Sequence, residues 1–219
     1  MFLYWREWHC RYSLMLTVVT SSDILTLGGV KMKEHYHHGN LKNELIEVGI
    51  KIISEEGFDH LSLRNISKQC GVSHNAIYRH FDDKEQMIDC CRLYVTETLT
   101  DYLNQSIAGL DPAQIETLHT LGYAYIRFYR EHPTYFSFLY RNSSIRIVFT
   151  MDEIPENYPP YDVFRKVYLA IAEKKEESKE DGLKQLLRYW SLMHGAISLL
   201  ISPNVELPGN IENYLKDFF

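Results

Sequence analysis

The stretch 61–84, LSLRNISKQCGVSHNAIYRHFDDK, constrains the fold of this chain more than any other. Leu63, Ile66 and Cys70 recur at helical spacing and predict a short helix, with Ser62 at the position of an N-cap. Gly71 supplies the backbone freedom that a sharp turn needs. Ser73 then stands where a second N-cap belongs, its hydroxyl placed to satisfy an orphan N–H of the next turn. The second helix is expected to bury Val72, Ile77 and Phe81, leaving His74, Asn75, Tyr78, Arg79 and His80 on its other face. A short helix with an apolar back and a polar, aromatic and basic front suits insertion into a DNA major groove. The same pattern also describes a surface αα-hairpin, and the pattern alone does not choose between them.

A longer run of words does choose. HHGNLKNELI, EEGFDHLSLRNISKQCGVS and IYRHFDDKEQMI, together spanning about 37–94, resemble the DNA-binding domain of TetR-type transcriptional regulators. A first helix, then Gly-Phe, Leu-Ser-Leu-Arg, Gly-Val-Ser, Tyr-Arg-His-Phe and Asp-Lys-Glu agree at many positions. The resemblance implies a homodimer that binds double-stranded operator DNA and is controlled by a small-molecule effector, with repression as the usual output. It covers the second half more loosely. YAYIRFYREHPTYFSFLY and WSLMHGAISLL resemble the companion domain of a branch with a Trp-His-Gly signature, here Trp190, His194 and Gly195. Between them, 142–181 has no recognisable word.

With 219 residues and 45% hydrophobic content, the chain is long and apolar enough for a packed core. Its net charge of −6 argues against a uniformly basic DNA-binding protein. Lys42, Arg64, Lys68, Arg79 and Lys84 gather in the expected reading head, whereas Asp152, Glu153, Glu156, Glu173, Glu176, Glu177, Glu180 and Asp181 lie downstream. An asymmetric field is therefore expected. The cysteines are Cys10, Cys70, Cys90 and Cys91, with no C-x-x-C pair; a reducing, cytoplasmic setting is the simplest one.

Residues 1–31 do not match the family. The apolar run 14–20 is too short to span a bilayer, and no signal-peptide pattern follows it. Trp5, Trp8 and Tyr12 would also fit an amphipathic helix on a partner. Met32 directly precedes KEHYHHGN, where related chains begin, and Gly28-Gly29 is encodable by a ribosome-binding sequence. The segment is expected to be leader, translated from a start placed too early.

Periodicity predicts an all-α chain. A first helix carries Leu41, Leu45, Val48, Ile52 and Ile53 and ends at Glu56-Gly57. Asp82-Asp83 is expected to cap a long helix through Met87, Cys91, Tyr94, Val95, Leu99 and Leu103. Further helices are expected from Asp111-Pro112 to His132-Pro133, over 135–141, 163–177 and 182–201, and at 211–219. Residues 145–151 read equally as helix or strand, and 154–160 as a loop. The expected architecture is an N-terminal three-helix helix-turn-helix domain at 39–99. A long helix links it to a helical ligand-binding and dimerisation domain at 100–219. Leu183, Leu186, Leu187, Trp190, Met193, Ile197 and Ile201 form a stripe expected to serve both core and dimer partner.

The resemblance carries phosphate contacts onto Tyr78, His80 and Lys84, and each side chain can donate a hydrogen bond to a phosphate oxygen. Ser73, His74 and Asn75 occupy the turn that reaches base edges in helix-turn-helix proteins, and Asn75 suits adenine. Ser62 and Arg79 face the same side; Arg64 suits either DNA or a neighbouring carboxylate. Ile77 departs from the proline common in this branch, a packing change. Tyr125, Phe128, Tyr129, Phe136, Trp190 and His194 are the ligand-binding candidates, and the same residues fit an ordinary aromatic core. His35, His37 and His38 have no carboxylate or thiolate partner in reach of the sequence, so neither a metal site nor a cofactor is expected. With Tyr36 they suit an arm near the DNA backbone. No G-x-S-x-G, phosphate-cradling glycine loop or H-E-x-x-H is present. The alternative to a regulator is a helical small-molecule-binding protein or enzyme with no DNA function.

Overall fold

The structure is a computed structural model that describes residues 41–141 and 145–206. The expected leader at 1–31, the histidine arm and the terminal helix at 211–219 lie outside the described residues. Eight α-helices follow one another among those described, with no strand: α1 (Leu41–Glu56), α2 (Leu63–Gln69), α3 (His74–Ile77), α4 (Lys84–Ser106), α5 (Ile115–Glu131), α6 (Pro133–Phe136), α7 (Pro159–Lys174) and α8 (Lys179–Leu200). A 3₁₀ turn, Phe58–His60, follows α1, and a π-helical turn, Ser137–Arg141, continues from α6. None of the described helices is long and apolar enough to cross a membrane.

The helical spacing read from the sequence is found, with the buried face of α1 shifted: Leu41 and Val48 are only half-buried, and Ile46 and Ile50 join Leu45, Ile52 and Ile53 inside. Leu45, Ile46, Ile50 and Ile53 put one face of α1 into the core, against Met87 and Cys91 of α4 and Ile66 of α2. The contact is close because Gly49 has no side chain: a Cβ there would lie 2.8 Å from Met87 Cε and 3.4 Å from Cys91 Sγ. Helix α4 buries Met87, Cys91, Val95, Leu99 and Leu103 along its whole length and packs on α1, α5 and α7, so it joins the two halves of the chain. Asp83 caps it, accepting the Gln86 N–H at 2.8 Å.

Helix starts differ from the sequence reading by a few residues, each for a local reason. Asp111-Pro112 does not open α5. The Asp111 carboxylate accepts the Ala113 N–H at 2.9 Å and holds a separate turn, so α5 begins at Ile115. Pro159 and Pro160, expected in a loop, form the first turn of α7, where a missing N–H costs nothing. Ser178 caps α8 from the Asp181 N–H at 3.1 Å, moving its start ahead of Gly182. Residues 145–151, ambiguous in sequence, are neither helix nor strand. Side chains take the place of a partner strand. Asn157 pairs with both the N–H and the C=O of Val148 at 3.0 Å, and the Tyr161 hydroxyl bonds the N–H and C=O of Thr150.

The stripe assigned jointly to core and partner is divided. Leu186, Trp190, Met193 and Ile197 are buried within the chain, so they cannot form an interface without unfolding it. The exposed apolar residues of α8 lie on its opposite side: Leu187 (43% exposed), Leu192 (37%) and Leu199 (52%). Leu187, Ser191, Gly195 and Leu199 follow one another at i, i+4 spacing, and a Cβ at Gly195 would meet nothing within 4 Å.

Candidate functional site

Helices α2 and α3 are joined by a turn that the sequence dictates closely. Gly71 has φ +67°, and its N–H bonds Lys68 C=O at 3.2 Å while the Val72 N–H reaches Ser67 C=O at 2.9 Å. This pair of bonds is a Schellman closure, which calls for glycine at the left-handed position. At the start of α2, Ser62 accepts the Asn65 N–H at 3.1 Å, as its N-cap position implies. Ser73 holds the cap position of α3 in extended conformation, but its hydroxyl makes no capping bond. The expected hydroxyl cap is thus absent; the Ser73 carbonyl instead accepts the Ala76 N–H at 2.9 Å. The α-helix proper is only four residues long and continues to Phe81 as tight turns closed by the Arg79, His80 and Phe81 N–H groups. Ile77 and Phe81 anchor this segment in the core, whereas Val72 is only half-buried.

Ser62, Arg64, His74, Tyr78 and Lys84 line one open concavity together with Leu61, Leu63, Asp82 and Asp83. Five of the nine residues assigned to DNA therefore share one surface. Ser73, Asn75 and Arg79 are exposed outside that lining, and His80 is half-buried. Tyr78 is 48% exposed, an unusual position for an aromatic ring, and the His74 ring meets it edge-on at 5.0 Å. Lys84 has one ammonium hydrogen committed to Phe58 C=O at 2.7 Å, which ties the start of α4 to the turn after α1. An ammonium has two further donors. Burial, Lys42 and Arg79 lower the His80 pKa, so the imidazole stays neutral beside a positive surface. Asp82 and Asp83, expected at the start of α4, bring negative charge to the same concavity. Asp83 spends part of that charge on the α4 N-terminus.

All six ligand-binding candidates join one aromatic cluster in the second half of the chain. Tyr125 touches Tyr129, Trp190 and His194 at ring separations of 5.0, 5.4 and 5.6 Å. Phe128 and Phe136 each touch Tyr129, and Phe136 also touches His194. All but His194 are buried, and His194 is half-buried. Tyr140 and Tyr158, which are not among the six candidates, complete the polar part. The Tyr125 hydroxyl bonds His194 Nε2 at 2.8 Å and the Tyr140 hydroxyl at 2.9 Å, and Tyr140 donates to Tyr158 at 3.2 Å. The Tyr129 hydroxyl is buried beside them and makes no hydrogen bond of good geometry among the described residues. Burial raises the pKa of all four phenols and lowers that of His194 to about 4, so the cluster is uncharged at neutral pH. Tyr140 lay at the end of an aromatic run that drew attention, but Tyr158 stands in the segment without recognisable words. Phe149, Tyr161 and Phe164, in or near that segment, also pack on Trp190. Among the described residues, no group of three or more metal-ligating side chains comes together.

Two protein-family descriptions match this chain. Residues 45–90 match bacterial regulatory proteins of the tetR family. Residues 118–217 match the tetracyclin repressor-like C-terminal domain. The chain is 26% identical over 129 residues to an uncharacterized HTH-type transcriptional regulator, YerO, of Bacillus subtilis strain 168, covering 58% of this chain and 41% of YerO. It is 29% identical over 96 residues to the Staphylococcus aureus (strain Newman) biofilm operon icaADBC HTH-type negative transcriptional regulator IcaR, covering 41% and 52%. The matched region thus spans about half the length of these relatives. A TetR-family transcriptional regulator from Haemophilus influenzae Rd shares the fold at a TM-score of 0.58 with 18% identity, over 82% of this chain and 94% of that one.

Proposed function

We propose that this chain, which joins a tetR-family N-terminal domain to a tetracyclin repressor-like C-terminal domain, is a homodimeric, sequence-specific DNA-binding transcriptional regulator. The observation that carries the reading is the shared concavity of Ser62, Arg64, His74, Tyr78 and Lys84 beside a Schellman-closed helix pair. In this reading, residues 39–99 form the reading unit and 100–219 the effector-binding and dimerisation unit. Tyr78, His80 and Lys84 hold phosphates. Ser73, His74 and Asn75 face base edges, with Arg64, Arg79 and Ser62 beside them. Such a regulator works in the cytoplasm, where bacterial DNA lies.

The dimer face is the exposed ridge Leu187–Ser191–Gly195–Leu199 of α8, flanked by Leu192. Small residues in its middle allow two copies of the helix to approach closely, and a two-fold axis sets like against like. The effector site is the cluster of Tyr125, Phe128, Tyr129, Phe136, Trp190 and His194. Its lack of charge favours an uncharged aromatic molecule. The 5.0 Å contact of Trp190 with His194 fits the Trp-His-Gly branch. Effector and operator oppose each other, so each weakens the other by the same factor, and release of DNA ends repression.

A gel shift on the DNA upstream of the protein's own gene, at two salt concentrations, tests this reading. Specific, salt-sensitive retention is expected. Tyr78→Phe should weaken all sequences alike, because a lost phosphate contact carries no sequence information. Asn75→Ala should relax preference at one base pair by about 1–3 kcal/mol. Absence of specific retention would favour a helical small-molecule-binding protein or enzyme without DNA function.

A further inference from the structure

One carboxylate ties the reading end of the chain to the effector end. Glu47, on α1, accepts two hydrogen bonds on the same oxygen, Oε1. One comes from the Tyr94 hydroxyl of α4 at 3.0 Å, the other from the Tyr135 hydroxyl of α6. The two phenol rings meet edge-on at 6.4 Å. The Tyr135 ring also stacks on His132 at 4.8 Å and touches Phe128 of α5 at 6.0 Å. Burial, with the hydrogen bond and charge of Glu47, raises the Tyr135 pKa, and burial and Glu47 likewise raise that of Tyr94, so both phenols stay protonated donors. The contact joins residues 88 positions apart in the chain. It is not a hydrophobic necessity: Glu47 is half-buried, and α1 already has its apolar face in the core.

The placement matters on both sides. Helix α1 packs on α2, with Ile66 beside Gly49, and so on the element that leads into the α2–α3 turn. On the other side, α6 runs into the π-helical turn Ser137–Arg141, which holds Tyr140. Tyr140 is bonded to Tyr125 and Tyr158 and lies 4.5 Å from the His194 ring. Helix α1 packs on both α6 and this turn. Single π turns are uncommon and recur at functional sites. None of Glu47, Tyr94 and Tyr135 lines the concavity assigned to DNA.

We propose that Glu47, Tyr94 and Tyr135 form a hydrogen-bonded pin that fixes the reading unit against the effector unit, making Glu47 a positioning residue for operator binding. The proposal rests on the reading of the chain as a two-headed operator-binding dimer. A pin of this kind acts on the spacing of two heads. It therefore governs DNA that both heads grip at once, and leaves the grip of one head on one half-site alone.

The test uses the full-length dimer and two labelled fragments of the upstream DNA defined by footprinting, one with both half-sites and one with a single half-site. Affinities are measured by fluorescence anisotropy for wild type, Tyr135→Phe, Glu47→Gln and Glu47→Ala, with circular dichroism and melting temperature recorded for each. Tyr135→Phe and Glu47→Ala should bind the two-site fragment about tenfold more weakly and the single half-site as wild type does, because only the linked event loses its preset geometry. Glu47→Gln keeps an accepting oxygen and should recover most of the two-site affinity. A lower melting temperature with unchanged two-site affinity, or equal weakening on both fragments, would overturn the pin. If Tyr135→Phe does not fold, the Gln and Ala variants at Glu47 decide by the same comparison. Wild-type protein that retains neither fragment overturns the operator reading, and the pin with it; wild-type retention with variants indistinguishable from it overturns the pin alone.

Discussion

His194 is a basic side chain kept neutral by its surroundings, and that has a measurable cost in acid. Burial lowers its pKa from 6.5 to about 4. Below 6.5 the unfolded chain takes up a proton that the folded chain refuses, so stability falls as pH drops from 6.5 toward 4. The whole effect is ~3 kcal/mol, at 1.36 kcal/mol for each pH unit. Urea unfolding of wild type and His194→Gln at pH 7 and pH 4.5 should show a smaller acid loss in the variant; equal losses would mean that His194 is not held neutral. At this scale the sequence is legible where a residue serves its own neighbours. Ser62 caps α2 because its partner is three residues away. Ser73 has the same credentials, but the Ala76 N–H that its hydroxyl would accept goes to the Ser73 carbonyl instead. The pairing of Glu47 with Tyr135 was not foreseen, because a contact 88 positions apart has no local signature.

Among the elements, the turn between α2 and α3 is the one most strictly specified. Gly71 has open space around it, so a methyl group there meets no neighbour and the cost lies in the backbone alone. Gly71→Ala should destabilise the protein by about 1–2 kcal/mol, the cost of placing a side chain at positive φ. Thermal unfolding checks this; an unchanged melting temperature would mean that the turn relaxes to another conformation. Helices with a continuous apolar stripe, such as α1 and α4, were readable almost to the residue, because a 3.6-residue period repeated over four turns has no rival interpretation. Helix starts were less so. Asp111-Pro112 looks like an opening pair, yet the same carboxylate closes an isolated turn instead. Residues 145–151 resisted any assignment, since Asn157 and Tyr161 hold them through side-chain bonds that no periodicity announces.

For the whole molecule, the apolar surface of α8 was visible in sequence, but its division was not. Seven apolar positions spread over more than one face, and only packing shows that Ile197 is 1% exposed while Leu187 is 43% exposed. The two positions should therefore respond differently to the same change. Leu187→Glu is expected to give a folded monomer by sedimentation, with operator affinity reduced. Ile197→Glu is expected to unfold the chain, because it buries an unpaired carboxylate. A Leu187→Glu protein that stays dimeric would remove the exposed ridge from the interface. The excess of acid over base, −6 overall, bears on the same scale. Exposed Arg64, Lys68 and Arg79 concentrate cations on the reading unit, although Asp82 and Asp83 dilute them there.

The brevity of α3 would limit how much sequence the proposed regulator can distinguish. In the proposed operator complex one turn would present Ser73, His74 and Asn75, and at about one base pair for each side chain a two-headed complex would read roughly six through them. Six specified pairs recur by chance about once in 4,000 positions, which leaves roughly a thousand equivalent addresses in a genome of a few million. Discrimination beyond that must be stored in the DNA itself, in how readily the uncontacted pairs between half-sites adopt the twist and groove width that two rigidly spaced heads require. Substituting those untouched central pairs should then alter occupancy as strongly as substituting a contacted one.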